Sequence, residues 1–529
     1  MNLKKTFIFF LIFFLILPAL FAQDVPHPVS NKGVYGFLDE LANKQVISIN
    51  SAIKPYSRMF IAQRLKEAGA KRDELSPRQQ EELDFYLRDF GKELNQGKEW
   101  DRRKDLFYHK DSLFSLTINP ILGGEMFVNQ GGRATYWRNG AEARGYISKW
   151  GFYASLRDNH EKPMLGRPLY LTSREGGHIK GSSDWSEMQG GVTYSWKWGY
   201  AGLIKERQQW GNNYNGANIL GGNNPTFVQF RLQLSPAKWF SFNYMHGWLN
   251  SKVVDSAASY WVNNTYGRDY REVYHRKFIA ANMFTFTPLK NLNVSAGNSI
   301  IYSGENINPA YIVPVFFYKS VDHSMTSGID NMNSQMYLDV SSRQVKHLHL
   351  YATLFIDELS VDRFTKDDEW NFFSWKGGFR LTDLPLSDLS FTTEYTYTYP
   401  LTFRHYVPTL TFENAGFNLG HYMKDNSREL YVALDYRPIR ALNINLYFTD
   451  AVRGADYTET GGNRLGNPPL DSVTWQNTTF GLRADYQIIN DIYAWLSAFR
   501  SDINGDERWN PGFFQGVKNN VNVGVTVGF

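Results

Sequence analysis

The sequence contains no cysteine among its 529 residues, and only one long apolar run. The absence of cysteine excludes a disulfide scaffold, a thiolate metal site, a catalytic thiol and a lipoprotein anchor. The mean hydropathy of −0.42 excludes a polytopic helical membrane protein, which needs several runs of about 20 apolar residues. A formal charge of only +4 gives no sign of the clustered basic face that nucleic-acid binding requires.

The N-terminus has the pattern of a secretory signal peptide. Lys4 and Lys5 precede an apolar run over residues 7–17, and the small residue Ala22 marks a cleavage point. A membrane anchor or a buried helix is the alternative, but the run is short for a bilayer span. We therefore expect residues 1–22 to be a signal peptide and the remainder to be exported, either as a soluble protein or as an outer-membrane barrel.

Residues 23–111 are predicted to form a small helical module. Ser57 is suited to cap one helix, and Ser76 with Gln79 forms a capping box around Pro77 at the first position of another. Apolar residues recur at helical spacing, most simply as the module's own core. They include Tyr35, Leu38, Leu41, Leu83, Leu87 and Phe90.

From residue 112 the hydrophobic period changes from helical to two. Aromatic residues make up 16% of the chain, and residues 389–399, 430–437 and 442–449 alternate strictly between one apolar and one mixed-polar face. A soluble sandwich and a transmembrane barrel both produce this pattern. In a barrel the mixed-polar face, which carries Glu394, should point into the lumen. The length of about ten residues per strand favours a tilted bilayer span, and no blade-length repeat suggests a propeller.

The last ten residues favour the barrel. Val521, Val523, Val525, Val527 and Phe529 share one face, like the C-terminal signature that barrel assembly machinery reads. An ordinary edge strand is the alternative, but an exposed apolar edge promotes aggregation. We predict a mainly β fold: an antiparallel outer-membrane barrel over residues 112–529. This length accommodates about sixteen, eighteen or twenty strands.

Several short stretches occur in an order that resembles the Wzi-like capsule assembly family in its Bacteroidetes form, over essentially the whole exported chain. They are residues 34–41, 53–58, 119–122, 138–146, 210–211, 246–251, 356–358, 394–396 and 419–421. The resemblance implies an 18-stranded outer-membrane barrel, a periplasmic helical bundle and a lectin-like role in retaining exported polysaccharide. Two positions depart from the family pattern, where we expect Glu but find Asn298, and expect His but find Asn282. If these positions contact the ligand, we expect that ligand to differ from the one bound by capsule-binding relatives.

No catalytic constellation emerges. The sequence has no Gly-x-Ser-x-Gly elbow, no His-Glu-x-x-His motif and no P-loop. Asp357 and Glu358 are adjacent, so on a strand they face opposite sides and cannot act as a carboxylate pair unless the strand ends there. A loop-proximal acidic pair is the favoured interpretation. His347 and His349 share a face, but two ligands are few for a metal, so lumen-lining histidines are favoured. We expect no enzyme activity, no cofactor and no metal.

Sugar binding requires aromatic faces for pyranose rings and polar groups for hydroxyls. For two of the candidates below, Trp210 and Trp248, we favour an alternative to glycan binding, in which both belong to an interfacial aromatic girdle. The candidate glycan ligands are Trp210, Tyr214, Asn215, His246, Trp248, Glu394, Arg404 and His421.

The sequence is compatible with three functions. The resemblance favours a non-enzymatic barrel that binds surface polysaccharide, with a plugged lumen and little ion conductance. A diffusion channel needs an open lumen. An accessory barrel of a secretion or gliding-motility complex would use the helical module to dock protein partners. Outer-membrane lipid and the barrel assembly machinery are further expected partners, and nucleic acid is not.

Overall fold

The computed structural model describes residues 24–94, 103–165, 170–177, 183–325, 329, 331–367, 369–456 and 468–528. The predicted signal peptide at 1–22 and the predicted assembly signal at Phe529 lie outside these residues. Within the described part of the chain, no helix is both long enough and apolar enough to cross a membrane.

Eighteen antiparallel strands form a closed barrel, which confirms the predicted fold and selects eighteen from the open strand numbers. Strand β18 pairs with β1 from Val521 opposite Val128 to Val527 opposite Leu122. A short strand, Phe107–Lys110, pairs with the first part of β1. The barrel strands are β1 Phe114–Asn129, β2 Gly132–Ile147, β3 Trp150–Lys162, β4 Asp184–Trp196, β5 Gly199–Glu206, β6 Phe227–Ala237, β7 Phe240–Val254, β8 Tyr274–Leu289, β9 Leu292–Ser303, β10 Met332–Ser342, β11 Leu348–Glu358, β12 Phe372–Thr382, β13 Leu389–Thr398, β14 Ser427–Ile439, β15 Leu442–Gly454, β16 Val473–Ile489, β17 Ile492–Gly505 and β18 Gly516–Val527.

The period-two pattern separates an apolar exterior from a polar interior. Side chains alternate between the two faces of each strand, so a closed sheet presents one set to lipid and the other to the lumen. The lumen is correspondingly rich in buried polar residues. Exposed apolar side chains on the exterior include Leu122, Met126, Val128, Trp137, Leu156, Met188, Val192, Leu203, Phe230, Leu338, Val340, Leu350, Phe480, Leu482, Leu496, Val521, Val523 and Val525.

The two ends of the barrel differ in their connections. One end, the short-turn rim, has short turns between strands, and β1 begins and β18 ends there. At the other end, the long-loop rim, most connections are long, at residues 163–183, 207–226, 255–273, 304–331, 359–371, 399–426 and 455–472. Within the part of the chain that the structure describes, three small two-stranded pairings lie outside the barrel wall: Ile53–Lys54 with Gln209–Trp210, Tyr260–Asn264 with Gly267–Arg271, and Glu413–Asn414 with Phe417–Asn418.

In the described residues, three helices form the module that precedes the barrel: α1 Lys32–Asn43, α2 Arg58–Gly69 and α3 Pro77–Phe90. The predicted caps are confirmed, because Ser57 accepts the backbone N–H of Phe60 and Ser76 forms a capping box with Gln79. The helices pack on one shared hydrophobic core. A fourth helix, α4 Tyr318–Met325, lies far along the chain between β9 and β10.

The module sits on the short-turn rim. Asn31 donates to Asp491 at 2.9 Å in the turn between β16 and β17. Lys44 forms an ion pair of 2.8 Å with Asp383 in the turn between β12 and β13. The backbone N–H of His347, between β10 and β11, donates to a carbonyl of α1 at 2.7 Å. These contacts are spread around the rim, so the module covers this end of the barrel.

A charged side chain introduced on the exterior should destabilise the barrel at mid-height and have little effect near the rim. Val523 lies between Leu496 and Met126 on the outer face, so Val523→Lys should lower the free energy of unfolding by about 2–4 kcal/mol. Asn519→Lys is the matched control on the same strand and face, close to the long-loop rim, with an expected change of about 0–1 kcal/mol. Urea titration in lipid vesicles measures both, and equal effects would contradict a lipid-facing exterior.

The stability of the folded helical module should fall in acid because of His27. Burial, reinforced by the Arg58 guanidinium, lowers the pKa of His27 to about 3. Because the unfolded form, with a pKa of about 6.5, binds more protons between these values, stability falls as the pH drops from about 6.5 towards 3. His27→Phe preserves the ring beside Phe90 and should reduce this pH dependence, measured by hydrogen exchange of α1 and α3. His109→Phe, at an exposed site, is the control. A slope unchanged by His27→Phe would show the assignment to be wrong.

Candidate functional site

The connection between β5 and β6, residues 207–226, folds into the lumen; we call it the inward loop. Its short strand Gln209–Trp210 pairs with Ile53–Lys54, which follows α1 of the module. Trp210 is 1% exposed and contacts an apolar cluster that includes Met245 and Tyr337 on the inner wall. The lumen is therefore occupied from both ends, by the module's connecting segment and by the inward loop.

Glu394 on β13 anchors the tip of the inward loop. Its carboxylate accepts the backbone N–H groups of Tyr214 at 2.7 Å and Asn215 at 2.8 Å. It also accepts the Tyr351 hydroxyl at 2.6 Å and lies 3.4 Å from the Lys376 ammonium group. This buried carboxylate points into the lumen, as its place on the polar strand face predicted, and its contacts hold the loop.

A second carboxylate and a guanidinium connect the inward loop to the helical module. Asp339 accepts the backbone N–H of Asn212 at 2.8 Å. Arg343, close by at the end of β10, forms an ion pair of 3.0 Å with Asp39 of α1. The hydroxyl of Tyr214 contacts His349, which also lies beside Arg343. A continuous polar network thus joins α1 to the loop tip. His347, by contrast, lies in the preceding turn and contacts the carbonyl of Thr382.

The connection between β13 and β14, residues 399–426, covers the inward loop from the long-loop rim. Its Leu419 carbonyl accepts the backbone N–H of Gly221 at 2.7 Å. Arg404 is held by Asp425 at 3.0 Å and by Asp456. His421 is fully buried beside Glu429, and burial lowers the pKa of this imidazole. Three predicted residues, Trp210, Tyr214 and Asn215, therefore lie in the inward loop, which Glu394 anchors from the wall. Arg404 and His421 lie in the covering connection.

His246 and Trp248 do not join this group, because they lie on the outer face of β7. Trp248 is 38% exposed there, as the girdle alternative predicted, whereas Trp210 is in the lumen. His246 is buried and contacts the hydroxyls of Tyr302 at 2.8 Å and Tyr244 at 3.2 Å. It is covered by residues 304–325, a segment that runs down the outer wall and that we call the outer strap.

Asn282 and Asn298, which stand where the resemblance led us to expect His and Glu, form one contact beneath the outer strap. The Asn298 side chain donates to Asn282 at 2.8 Å. Asn282 in turn donates to the backbone carbonyls of Pro314 and Phe316, each at 2.9 Å. Asn298 also accepts the backbone N–H of Tyr318 at the start of α4. Both residues therefore hold the outer strap against the barrel.

A small cleft lies above the filled lumen at the long-loop rim, between residues 170–176, Asn223 and residues 417–424. Arg174 on its wall is held by Glu161 at 2.8 Å. Burial raises the pKa of Tyr170 to about 12 and lowers the pKa of Lys424. The lining includes Tyr170, Arg174, Asn223, Phe417, Tyr422 and Lys424.

The cleft has the chemistry that saccharide binding requires, with aromatic rings beside amide and cationic donors. Sequence reasoning missed its residues, because irregular loops lack periodicity. The nearest signal was His421, since the cleft residues Tyr422 and Lys424 follow it in the chain.

Among the residues that the structure describes, one group of carboxylates has the spacing of a metal site, formed by Glu40, Asp383 and Asp388 at the short-turn rim. Their charges are met by cations. Lys44 pairs with Asp383 at 2.8 Å, and Arg78 pairs with Asp388 at 2.7 Å and with Glu40. The arrangement therefore serves to fasten the module to the barrel.

Known proteins share this fold. The profile of the family described as "Capsule assembly protein Wzi" matches residues 189–506. The structure of Wzi from Escherichia coli, described as an outer membrane protein involved in group 1 capsule assembly and a carbohydrate-binding β-barrel, superposes with a TM-score of 0.60. It is 13% identical, and the match covers 96% of this chain and 100% of that one.

Two Pseudomonas aeruginosa barrels match less closely. OccD3 (OpdP) is 12% identical with a TM-score of 0.43, over 78% of this chain and 90% of its own. OpdK with vanillate is 8% identical with a TM-score of 0.44, over 78% and 98%. A search of curated proteins found no match.

The Glu394 anchor should keep the lumen closed to ions. Glu394→Ala leaves the N–H groups of Tyr214 and Asn215 without their acceptor, at about 1–3 kcal/mol each. We expect openings in planar bilayers to become at least about tenfold more frequent than in the parent, which should conduct little. Glu142→Ala removes a half-buried carboxylate of β2 that pairs with Arg144, and is the control. If the parent conducts ions freely, or if Glu394→Ala has no effect, the inward loop does not close the lumen.

Proposed function

Because the chain belongs to the Wzi capsule assembly family, whose profile matches more than half of it, we propose that it holds exported polysaccharide at the outer surface of the outer membrane. The short-turn rim and the helical module then face the periplasm, and the long-loop rim faces the outside, as in other outer-membrane barrels. The proposed role is binding and retention without covalent chemistry.

The observation that carries this proposal is the combination of a filled lumen with a polar-aromatic cleft above it. The inward loop occupies the interior, so a solute has no wide path through the barrel. The cleft is nevertheless open at the long-loop rim, where a polymer on the cell surface can enter it. This arrangement suits a surface receptor better than a diffusion channel.

The cleft's chemistry also favours binding over hydrolysis. Glycosidases use two carboxyl groups on either side of the scissile bond. Among the described residues that line the cleft, only Glu175 carries a carboxylate. Tyr170 and Tyr422, which are partly exposed, instead offer ring faces on which sugar rings can stack. We therefore propose a protein that is not an enzyme.

We propose two further partners. One is outer-membrane lipid, which the apolar exterior would contact, and the other is the machinery that inserts barrels of this kind. The helical module presents a polar surface to the periplasm and is the place where a periplasmic protein of an assembly complex would dock. An accessory role of this kind is compatible with glycan binding, and near-equal recovery of a partner in a tagged pull-down would support it.

A deletion strain tests the proposed function directly. We expect surface polysaccharide to move from the cells into the medium while the total output stays unchanged. Complementation with Tyr170→Ala or Lys424→Ala should restore retention only in part, because each removes a contact group of the cleft. Lys366→Ala, at an exposed site on another loop of the same rim, should restore it fully. Unchanged retention in the deletion strain would rule out the attachment role.

A further inference from the structure

A β-hairpin projects from the long-loop rim between β7 and β8. Its strands, Tyr260–Asn264 and Gly267–Arg271, pair with each other and, in the described part of the chain, with no other strand. Nearly every residue in it is exposed, and Tyr266 at the tip is completely so. The hairpin therefore contributes little to the packing of the barrel.

One face of the hairpin carries an ordered aromatic surface. Trp261 lies opposite Tyr270, and Asn263 lies opposite Arg268, so all four side chains share this face. The two ring centroids are 5.1 Å apart, and the Arg268 guanidinium lies 4.6 Å from the centre of the Trp261 ring. Trp261 is 56% exposed and Tyr270 is 39% exposed. Aromatic area left in water on a protruding element is typical of a contact surface.

The charges on the two faces differ. Arg271, on the opposite face, forms an ion pair of 2.9 Å with Asp269. For Arg268, no described carboxylate lies within 4.0 Å of its guanidinium, and its partner is the Trp261 ring. A guanidinium prefers a bidentate carboxylate partner where one is available. The aromatic face thus offers one available cation beside a stacking surface.

We propose that the face formed by Trp261, Asn263, Arg268 and Tyr270 is a second polysaccharide contact, selective for sugars that carry a carboxylate. The C–H face of a uronic acid residue stacks on Trp261 or Tyr270, and its carboxylate binds Arg268. This inference rests on the proposed function and adds the class of sugar. A polymer that contacts both the cleft and the hairpin gains avidity from the two sites.

The test uses the full-length protein in nanodiscs and the exported polysaccharide of the bacterium that makes it. The polymer is used in native form and after its uronic acid carboxylates have been reduced to alcohols. Arg268→Gln should weaken binding of the native polymer about tenfold, and should not affect binding of the reduced one. Trp261→Ala should weaken binding of both forms. Arg271→Gln, matched in chemistry and lying on the opposite face, should bind like the parent.

The outcomes separate this inference from the proposed function. If Tyr170→Ala in the cleft weakens binding but both hairpin variants bind like the parent, the hairpin inference is wrong and the proposed function stands. If the parent binds neither polymer, the proposed function fails as well. Three results would each overturn the carboxylate preference. The exported polymer could lack acidic sugars, or the parent could bind the native and reduced polymers with equal affinity. Arg268→Gln and Arg271→Gln could also lose equal amounts of affinity. Variants that lose only the affinity for vesicles containing lipopolysaccharide would overturn it as well, since the hairpin would then contact the membrane.

Discussion

The structure depends on one constraint, which is that every backbone N–H and C=O group within a bilayer must find a partner inside the protein. The wall meets it by closure, because β18 pairs with β1 and no edge is left facing lipid. Closure requires strands of similar length and a consistent alternation of side chains. It also creates a lumen that must be filled with water or with protein. The remaining features of the molecule follow from how that interior is filled.

Here the lumen is filled with protein, and buried charges fix its position. Burying ions is costly unless they are paired and hydrogen-bonded, so such pairs specify geometry more than they add stability. Glu394 receives two backbone N–H groups, a hydroxyl and an ammonium group, which leaves the loop tip essentially one position. Arg343 and Asp39 place the module in register with the same network. The module, the inward loop and the floor of the cleft therefore form one connected unit.

The sequence predicts those parts that periodicity encodes. Alternation, together with strand length and the C-terminal pattern, predicted the barrel and the inward direction of Glu394, and the pattern around Ser76 predicted the start of α3. Resemblance to the family supplied the strand number, which chain length alone left open. The cleft was beyond this reasoning, since Tyr170 and Phe417 come from separate irregular loops whose meeting depends on the folded barrel. For the same reason Trp210 and Trp248 look equivalent in the sequence, although one lies in the lumen and the other on the exterior.

The outer strap applies the same constraint to the exterior. Asn282 and Asn298 lie on the outer wall, where two amides without partners would be costly in hydrocarbon. The strap supplies the carbonyls of Pro314 and Phe316 and the N–H of Tyr318, and it presents Ile312, Val315 and Phe317 outward. Polar groups are thereby paired beneath an apolar cover. A change at either asparagine must be matched by the strap, so the two asparagines and the strap act as a single element of the wall.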